Sequence, residues 1–213
     1  LVGIPASAVD ADVTNSTITY TLDNSAGGRF AIDGATGDVT VAGAIDREAA
    51  PSHAIVVRAT SADGSFSTQG FSVVVNPVND NAPVITSDGG AATASINVAE
   101  NTAAVTTVSA NDADLPAQTL TYAISGGADQ GLFNIDAGTG ALSFVVAPNF
   151  EAPADAGANN VYEVTVQVSD GTLTDTQAIA VTVTAVNDNA PVITSNGGAA
   201  TASINLAENT AAV

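Results

Sequence analysis

Short segments in which apolar and polar residues alternate recur along the whole chain. Segments 163–168 and 179–184 are clear examples, with valine or isoleucine at every second position. Side chains at every second position of a strand share a face, so each segment predicts a β-strand with one buried and one solvent-exposed face. A similar segment at 71–75 is separated from an apolar segment at 55–60 by Asp63-Gly64, which predicts a β-hairpin.

Further strands are predicted near 119–125, 132–135 and 141–145, with glycine-rich turns at 126–127 and 138–140 between them. No stretch shows sustained helical periodicity bounded by capping residues, so almost no helix is expected. About seven short strands per hundred residues is typical of a Greek-key sandwich. We therefore predict an all-β fold of tandem, seven-stranded Greek-key β-sandwiches.

The chain repeats itself. Residues 78–87 recur as 186–195, a period of 108 residues, and residues 89–105 recur as 197–213 with Leu206 in place of Val98. A period of about a hundred residues is too long for a solenoid repeat and fits one autonomous domain per unit. The repetition indicates recent tandem duplication.

This period divides the chain into residues 1–81, a repeat without its first strand, residues 82–189, a complete repeat, and residues 190–213, the opening strand of a third repeat. Two explanations of this frame stay open. The segment is an arbitrary piece of a longer periodic protein, which needs no special mechanism, or a terminal strand is donated between chains, which is a known form of β-augmentation.

Composition narrows the possible chemistry. Hydrophobic residues make up 46% of the chain and aromatic residues only 4%, so the core is expected to consist mainly of valine, isoleucine, leucine and alanine. The absence of cysteine excludes disulfides and thiolate metal sites, and a single histidine disfavours a zinc site. The sequence has no initiator methionine, no signal peptide and no apolar run long enough for a bilayer, which indicates a fragment or a processed product.

The chain is strongly acidic. It carries 22 aspartates and glutamates against three arginines and no lysine, a formal net charge of −19. Such a surface repels nucleic acids and anionic lipids, so neither is expected as a partner. The excess charge also opposes compact folding unless the carboxylates are dispersed or neutralised by bound cations, and Ca²⁺ is the obvious candidate.

The acidic motifs lie at the predicted unit boundaries. Asn-Asp-Asn-Ala-Pro occurs at 79–83 and again at 187–191, Asp-Arg-Glu occurs at 46–48, Asp-Ala-Asp precedes a strand at 112–114, and Glu100 stands alone near the start of the complete repeat. This set of motifs resembles a cadherin repeat along the whole chain. The alanine-rich variant with Asn-Phe-Glu at 149–151 is similar to the cadherin-like repeats of large bacterial surface proteins.

The resemblance implies calcium sites at the joints between units. Calcium requires six to eight oxygen ligands, more than one short loop offers, so side chains from two domains and their linker must converge. For the first joint, the resemblance implies ligands at Asp46, Glu48, Asn79, Asp80, Asn81, Asp112, Asp114 and Asp170. For the second joint it implies Glu100, Glu151, Asn187, Asp188 and Asn189. Half of an upstream site would consist of Asp10, Asp12 and Asp63, and Glu208 would begin a further set.

The sequence departs from the family pattern in two ways. Pro77 and Ala185 stand where family linkers commonly carry an acid, two residues before Asn-Asp-Asn, and Asn149 stands at the position of Asp46. Each change removes a charged ligand. We therefore expect fewer ions per joint, weaker affinity or both, at least at the second joint.

Simpler explanations apply to several of these residues. Aspartate followed by glycine also favours turns through its own side-chain hydrogen bonds, which leaves Asp63 and Asp170 open to either interpretation and favours a turn role for Asp33 and Asp136. Solvated surface positions are expected for Asp88, Asp129, Asp155 and Asp175. His53 has no recognisable nucleophile nearby, so a catalytic triad has little support, and the three tyrosines are expected to pack within strands.

From these observations we predict that the protein is not an enzyme. The expected function is a calcium-rigidified stalk or adhesion repeat of a bacterial-type surface protein, located outside the cell, which contacts neighbouring repeats of its own chain. Two alternatives remain: a repeat that itself binds a like repeat or a polysaccharide, and a subunit of a filament joined by strand donation. No membrane insertion is expected for this segment.

Overall fold

The computed structural model of the protein describes residues 2–4, 6–11 and 17–209. The all-β prediction is confirmed: the described residues contain fourteen strands and no α-helix. The three helical turns are short 3-10 segments at Ser87–Gly89, Gln130–Leu132 and Ser195–Gly198. None of the described residues belongs to a helix long and apolar enough to cross a bilayer.

Five strands and the residues before them form the first unit. The strands are β1 Ile18–Asn24, β2 Phe30–Ile32, β3 Val39–Val41, β4 Ser52–Ser61 and β5 Phe66–Val74. One sheet has the order β1-β4-β5, and β2 pairs with β3. The predicted hairpin around Asp63-Gly64 is the antiparallel pair β4–β5, and the N–H groups of Val2 and Ala6 bond to Val39 and Gly37 beside β3.

The second unit follows the linker 75–83. Its strands are β6 Val84–Ile85, β7 Thr93–Ala99, β8 Ala104–Thr107, β9 Ala110–Asn111, β10 Thr121–Gly126, β11 Phe133–Ile135, β12 Ala141–Phe144, β13 Val161–Ser169 and β14 Thr174–Thr184. Strands β10-β13-β14-β7 form one sheet, and β11-β12-β8 form the facing sheet. The pair β14–β7 is parallel, with Thr182 opposite Asn97.

Alternation explains which side chains form the core of the second unit. In β13, Val164, Val166 and Val168 are buried, and in β14 the same holds for Ile179 and Val181. Aliphatic side chains dominate this core, as the composition predicts, and three of the four buried aromatic rings among the described residues also lie in it. The rings of Phe133, Phe144 and Tyr162 contact one another.

The first unit has its own, smaller core. Phe30, Val39, Ile55 and Val57 are buried in it. His53, the only histidine of the chain, packs edge-on against Phe30 with 5.9 Å between ring centroids. This position gives His53 a packing role.

All three arginines lie in the first unit. Arg58 makes two hydrogen bonds of 2.7 Å to the carboxylate of Asp23 and lies over the ring of Phe66. Arg47 donates to the carbonyl oxygen of Val75 at 2.6 Å, and Arg29 donates to the carbonyl oxygen of Ala26 at 3.1 Å. The guanidinium groups of Arg29 and Arg47 therefore bond to backbone carbonyl groups, whereas that of Arg58 joins side chains of β1 and β5.

Candidate metal centre

The first joint lies where the linker meets acidic side chains from both units. The backbone N–H of Asn81 is 3.3 Å from both carboxylate oxygens of Asp114, and its side-chain amide donates to Asp114 Oδ1 at 2.7 Å. Glu48, from the first unit, accepts the N–H of Leu115, from the second unit, at 3.0 Å. Direct contacts thus bring the base of the first unit, the linker and the loop after β9 together.

Two groups of carboxylates share this joint. Glu48, Asp80 and Asp114 each offer an oxygen within 4.8 Å of the others, and Asp112, Asp114 and Asp170 form a second such group. Asp114 belongs to both groups and is only 1% exposed. Like charges at this spacing repel one another, most strongly at the buried Asp114, and a divalent cation reverses the balance.

The arrangement of the remaining oxygens fits calcium. Asp112 Oδ2 is buried and has no hydrogen-bond partner among the described residues. The side-chain amide of Asn79 lies between two of these carboxylates, and its N–H group donates to Asp170 Oδ2 at 3.0 Å and to Asp114 Oδ2 at 3.3 Å. Rotation of this amide by half a turn would instead present its oxygen to a bound cation. The donor set consists only of oxygen atoms, which is the ligand chemistry of calcium.

Local backbone geometry holds these carboxylates in place. Asp112 Oδ1 accepts the N–H of Asp114 at 2.9 Å. Asp170 lies in the β13–β14 turn and accepts the N–H groups of Thr172 and Leu173, each at 2.7 Å. Burial raises the pKa of Asp170, but these N–H donors outweigh it, so its pKa lies below the ordinary value. Asp170 therefore combines both sequence interpretations, since it closes a turn and also lies in a carboxylate group.

Asp46 lies outside both groups. It is exposed, and its Oδ1 accepts the N–H groups of Glu48 at 2.8 Å and of Ala49 at 3.2 Å. The N–H groups of Ala49 and Glu48 lower the pKa of Asp46. Asn149 makes the equivalent bond to the N–H of Glu151 at 2.9 Å. Both residues thus shape a turn that presents a glutamate, and the weaker second site expected from Asn149 stays a prediction.

A third carboxylate group marks the second joint. It consists of Glu100, Glu151 and Asp188. Glu100 is buried; its oxygens accept the N–H of Val186 at 2.6 Å and of Phe150 at 2.9 Å. These N–H donors, Val186 first, lower the pKa of Glu100. A carboxylate held ionised in this way ties the end of β7 to the second linker.

The other residues of the second joint are more open. Asp188 accepts amide N–H groups from Asn101 at 2.7 Å and from Asn189 at 2.8 Å. Asn187, Asn189 and Glu208 are exposed, and Glu208 joins no carboxylate group among the described residues.

The upstream half-site is not assembled in the described part of the chain. Asp10 accepts a hydrogen bond from the hydroxyl of Ser61. Asp63 accepts the N–H of Ser65 at 2.8 Å and thus forms the predicted turn. The Asp12 prediction lies outside the described residues.

Two buried acids were missed by the sequence argument. Asp129 and Asp155 were expected at a solvated surface, and that prediction is wrong, because both are buried. Asp129 accepts the N–H groups of Ala156 and Glu163 at 2.7 and 2.8 Å. Asp155 accepts those of Asn159 and Asn160 at 2.9 and 3.0 Å. The long loop before β13 folds around these carboxylates, and its extra length relative to the first unit was the available signal.

The predicted turn roles of Asp33 and Asp136 are confirmed. Asp33 Oδ1 accepts the N–H groups of Ala35 and Thr36 at 2.8 and 2.9 Å, and Asp136 makes the corresponding bonds in the second unit.

Asp175 is half-buried and accepts the N–H of Ile85 at 2.9 Å, so it links β14 to β6.

Comparison with known proteins places this geometry in a family. The profile of the cadherin domain matches residues 3–76 and 94–185. Protocadherin Fat 1 of Homo sapiens is 33% identical over 192 residues, which cover 87% of this chain and 4% of that protein. Cadherin-16 of Oryctolagus cuniculus is 33% identical over 193 residues, which cover 83% of this chain and 22% of that protein. The chain therefore spans only a small part of the relatives that it matches.

The comparison with solved structures indicates the same family. The mouse cadherin-23 fragment EC22-24 aligns with a TM-score of 0.70 and 26% identity, over 86% of this chain and 58% of that fragment. The extracellular domain of protocadherin GammaB4 aligns with a TM-score of 0.67 and 28% identity, over 84% of this chain and 29% of that domain. With the family profile matched in both units, the chain belongs to the cadherin family of non-enzymatic adhesion domains.

Proposed function

We propose that this chain is a pair of cadherin repeats from an extracellular adhesin or stalk, in which calcium clamps the joint between the units. The units are taken as residues 1–81 and 82–189, followed by the opening of a third repeat at 190–213. One observation carries the proposal: the buried carboxylate of Asp114 is shared by two acidic groups that combine the first unit, the linker and the second unit. The residues that would hold the ions at this joint are Glu48, Asn79, Asp80, Asp112, Asp114 and Asp170.

The proposed mechanism is control of a hinge. Bound calcium supplies positive charge that the joint otherwise lacks. The carboxylates of Glu48 and Asp114 then hold the two units in one orientation, and Asp80 fixes the linker between them. At a calcium concentration one hundred times the dissociation constant, one site stabilises the liganded joint by about 2.7 kcal/mol. Without the ion, the same carboxylates repel one another and the hinge opens.

The biological role follows from stiffness. A rod of such units extends a terminal binding domain away from a cell surface, or links cells within a matrix. The bacterial-type assignment is supported by the alanine-rich composition and by Asn149-Phe150-Glu151 in place of Asp-Arg-Glu. The extracellular assignment is supported by the likeness to a solved extracellular domain.

A calcium titration of thermal unfolding, combined with small-angle scattering, tests this function. The expected result is a calcium-specific rise in melting temperature and in maximum dimension, with a much smaller rise for Asp114→Ala. Asp88→Ala is the matched control, because Asp88 is exposed and outside the carboxylate groups. No response of the unsubstituted chain to calcium would refute the clamp.

A second candidate function is a filament subunit joined by strand donation. It is favoured by the exposed apolar side chains of Ile204 and Leu206 and by one edge of β5, which pairs with no strand of the described residues. The two functions are compatible, since a filament of such units would still contain clamped joints.

A further inference from the structure

An apolar cavity of about 310 Å³ opens on the surface of the second unit. It lies between the 3-10 turn before β11, the segment that follows β12 and the loop before β13. Leu132, Phe144, Val146 and Tyr162 line it, and no charged side chain of the described residues does. A cavity of this volume falls at the lower end of the range for ligand pockets in proteins, which is about 300–1,000 Å³.

Large apolar side chains are exposed beside this cavity. Val145 is 53% exposed and Val146 is 77% exposed, and both line it. Phe150 is 36% exposed and directly follows the lining residue Asn149. Exposed apolar side chains grouped in this way mark interaction sites, because burial of their surface against a partner is favourable.

The cavity also has one buried polar group. Tyr162 is only 1% exposed, and its hydroxyl oxygen accepts the N–H of Ala154, another lining residue, at 3.1 Å. A phenol both accepts and donates, and the O–H of Tyr162 donates to none of the described residues. A buried donor without an acceptor costs free energy. The cavity therefore favours an occupant that carries a hydrogen-bond acceptor.

The cavity is a property of the second unit. Three of its lining residues, Leu132, Val146 and Tyr162, stand where the first unit has Arg29, Gly43 and Ile55. In the first unit, a Cβ added to Gly43 would meet the Cα of Arg29 at 3.3 Å and its Cγ at 3.8 Å. The space that Val146 borders in the second unit is thus taken up by Arg29 in the first.

A unit that follows in the chain does not cover this face. The counterpart of residues 145–149 in the first unit is the segment 42–46, which is followed by a complete unit. Four of these five residues are exposed, and Gly43 is half-buried. The apolar residues around the cavity would therefore stay accessible in a longer array of units.

The charge of the second unit indicates which partner suits the cavity. Residues 82–189 contain 12 aspartates and glutamates and no arginine, lysine or histidine. Asp129 lies two residues before the lining residue Gly131, Asp155 directly follows Ala154, and both are buried. The negative potential attracts positively charged partners and repels a second copy of this chain, whose net charge is −19.

We propose that this cavity binds one bulky apolar side chain, such as leucine, from a basic segment of a partner protein. The apolar side chain lies between Leu132, Phe144 and Val146. A backbone carbonyl of the same segment accepts the O–H of Tyr162, and lysine or arginine side chains on either side of the anchor face the acidic surface. This binding does not depend on the calcium clamp.

NMR of the isotope-labelled chain with a short peptide of alternating lysine and leucine tests the site. Calcium is present, so that the carboxylates of the joints are occupied if the clamp holds. Saturable shifts centred on Leu132, Val146 and Tyr162 are expected. Shifts confined to other acidic surfaces would overturn the proposal.

Two matched peptides separate the apolar anchor from the charge. Alternating lysine and serine retains the charge without the anchor, and alternating glutamate and leucine retains the anchor with the opposite charge. Each is expected to bind about tenfold more weakly or less. Equal binding of the glutamate peptide would overturn the basic partner, and equal binding of the serine peptide would overturn the apolar anchor.

A substitution that fills the cavity tests its location. Ala152→Phe is expected to weaken binding of the lysine–leucine peptide about tenfold without affecting folding, because Ala152 is exposed and lines the cavity. Ala123→Phe, also at an exposed residue but outside the lining, is the control and is expected to bind normally. Melting temperatures confirm that both variants fold. Unchanged binding by Ala152→Phe would overturn the site.

The chain without peptide provides the last comparison. Its cavity resonances are expected to be independent of protein concentration. Shifts of Leu132 and Val146 that grow with concentration would assign the cavity to a second copy and overturn the proposal. A chain that shows no response to calcium but binds the lysine–leucine peptide at the cavity would refute the clamp and leave this inference intact.

Discussion

Asp136 illustrates how a single carboxylate organises a turn. Its Oδ1 accepts the N–H groups of Thr139 and Gly138 at 2.8 and 3.0 Å and the Thr139 hydroxyl at 2.9 Å. These donors, the N–H of Thr139 first, hold the pKa of Asp136 below its ordinary value. A carboxylate with a lowered folded-state pKa stabilises the fold above its unfolded pKa, and this contribution is lost as the pH falls through the lower folded-state value.

Asp136→Asn is therefore expected to lower the melting temperature at pH 7, with a difference from the unsubstituted chain that disappears well below about pH 3.9. This difference in melting temperature is measured by thermal unfolding in a calcium chelator, at about five pH values from 2 to 7. Glu163→Gln is the control, because the Glu163 side chain is exposed and makes no hydrogen bond in the described structure. A difference that persists at the lowest pH would contradict the assignment.

Asp155→Ala is expected to cost about 1–3 kcal/mol of unfolding free energy, because it removes a buried carboxylate and leaves the N–H groups of Asn159 and Asn160 without their acceptor. Denaturant unfolding followed by tyrosine fluorescence measures the loss. Asp155→Asn retains one acceptor oxygen and is expected to cost less. Equal stability of the alanine variant would mean that the loop before β13 closes without this carboxylate.

The sequence indicates the carboxylates that lie in recognisable motifs, but not the buried carboxylates that lie outside them. Asp80 and Asp114 were predicted as ligands because they lie in motifs at unit boundaries; the structure groups their carboxylates, and their role as ligands stays a prediction. Asp129 and Asp155 lie in no motif. Their burial depends on backbone N–H groups of a loop whose path is set by tertiary packing, and no periodic pattern encodes that path.

At the scale of elements, the neighbours of a strand decide how much each of its side chains contributes to the free energy of unfolding. Val181 in β14 is buried between β13 and β7, whereas its counterpart Val73 in β5 is only half-buried. Val181→Ala is expected to cost about 2 kcal/mol, and Val73→Ala about half as much. Urea unfolding measures both losses. A larger loss for Val73→Ala would show that the edge of β5 is already covered in the free chain.

Alternation predicted the strands but not their order. The runs in β13 and β14 correctly indicated the buried faces, because the side-chain period of a strand is independent of its neighbours. The parallel pairing of β14 with β7 joins residues that lie more than 80 positions apart, such as Val181 and Ile96. Such pairing depends on how the sandwich closes, and no local sequence pattern predicts it.

At the scale of the whole molecule, the net charge of −19 is the dominant property. Without calcium, raising sodium chloride from about 0.01 M to about 1 M shortens the Debye length from roughly 30 Å to roughly 3 Å. The calcium-free chain is therefore expected to become more stable and less expanded as salt rises.

Differential scanning calorimetry and small-angle scattering across the salt series measure both effects. The same series with calcium present is the control and is expected to show a smaller change, because bound ions already neutralise the joints. A calcium-free melting temperature independent of salt would contradict a fold limited by its own charge.

The repeat period predicted two units and the positions of the joints, because duplicated motifs are visible without any structure. The contacts between the two units could not be predicted from the sequence. The bond from Leu115 to Glu48 and the shared role of Asp114 depend on the path of the linker through three dimensions.

The placement of the three arginines has a consequence for proteolysis. Proteases of trypsin-like specificity cut only after arginine or lysine, and every such residue lies in the first 58 positions. Arg47 and Arg58 are fixed by bonds to Val75 and Asp23. Residues 59–213 contain no bond that these enzymes can cleave, so digestion would leave the whole second unit and the segment after it as one undivided piece.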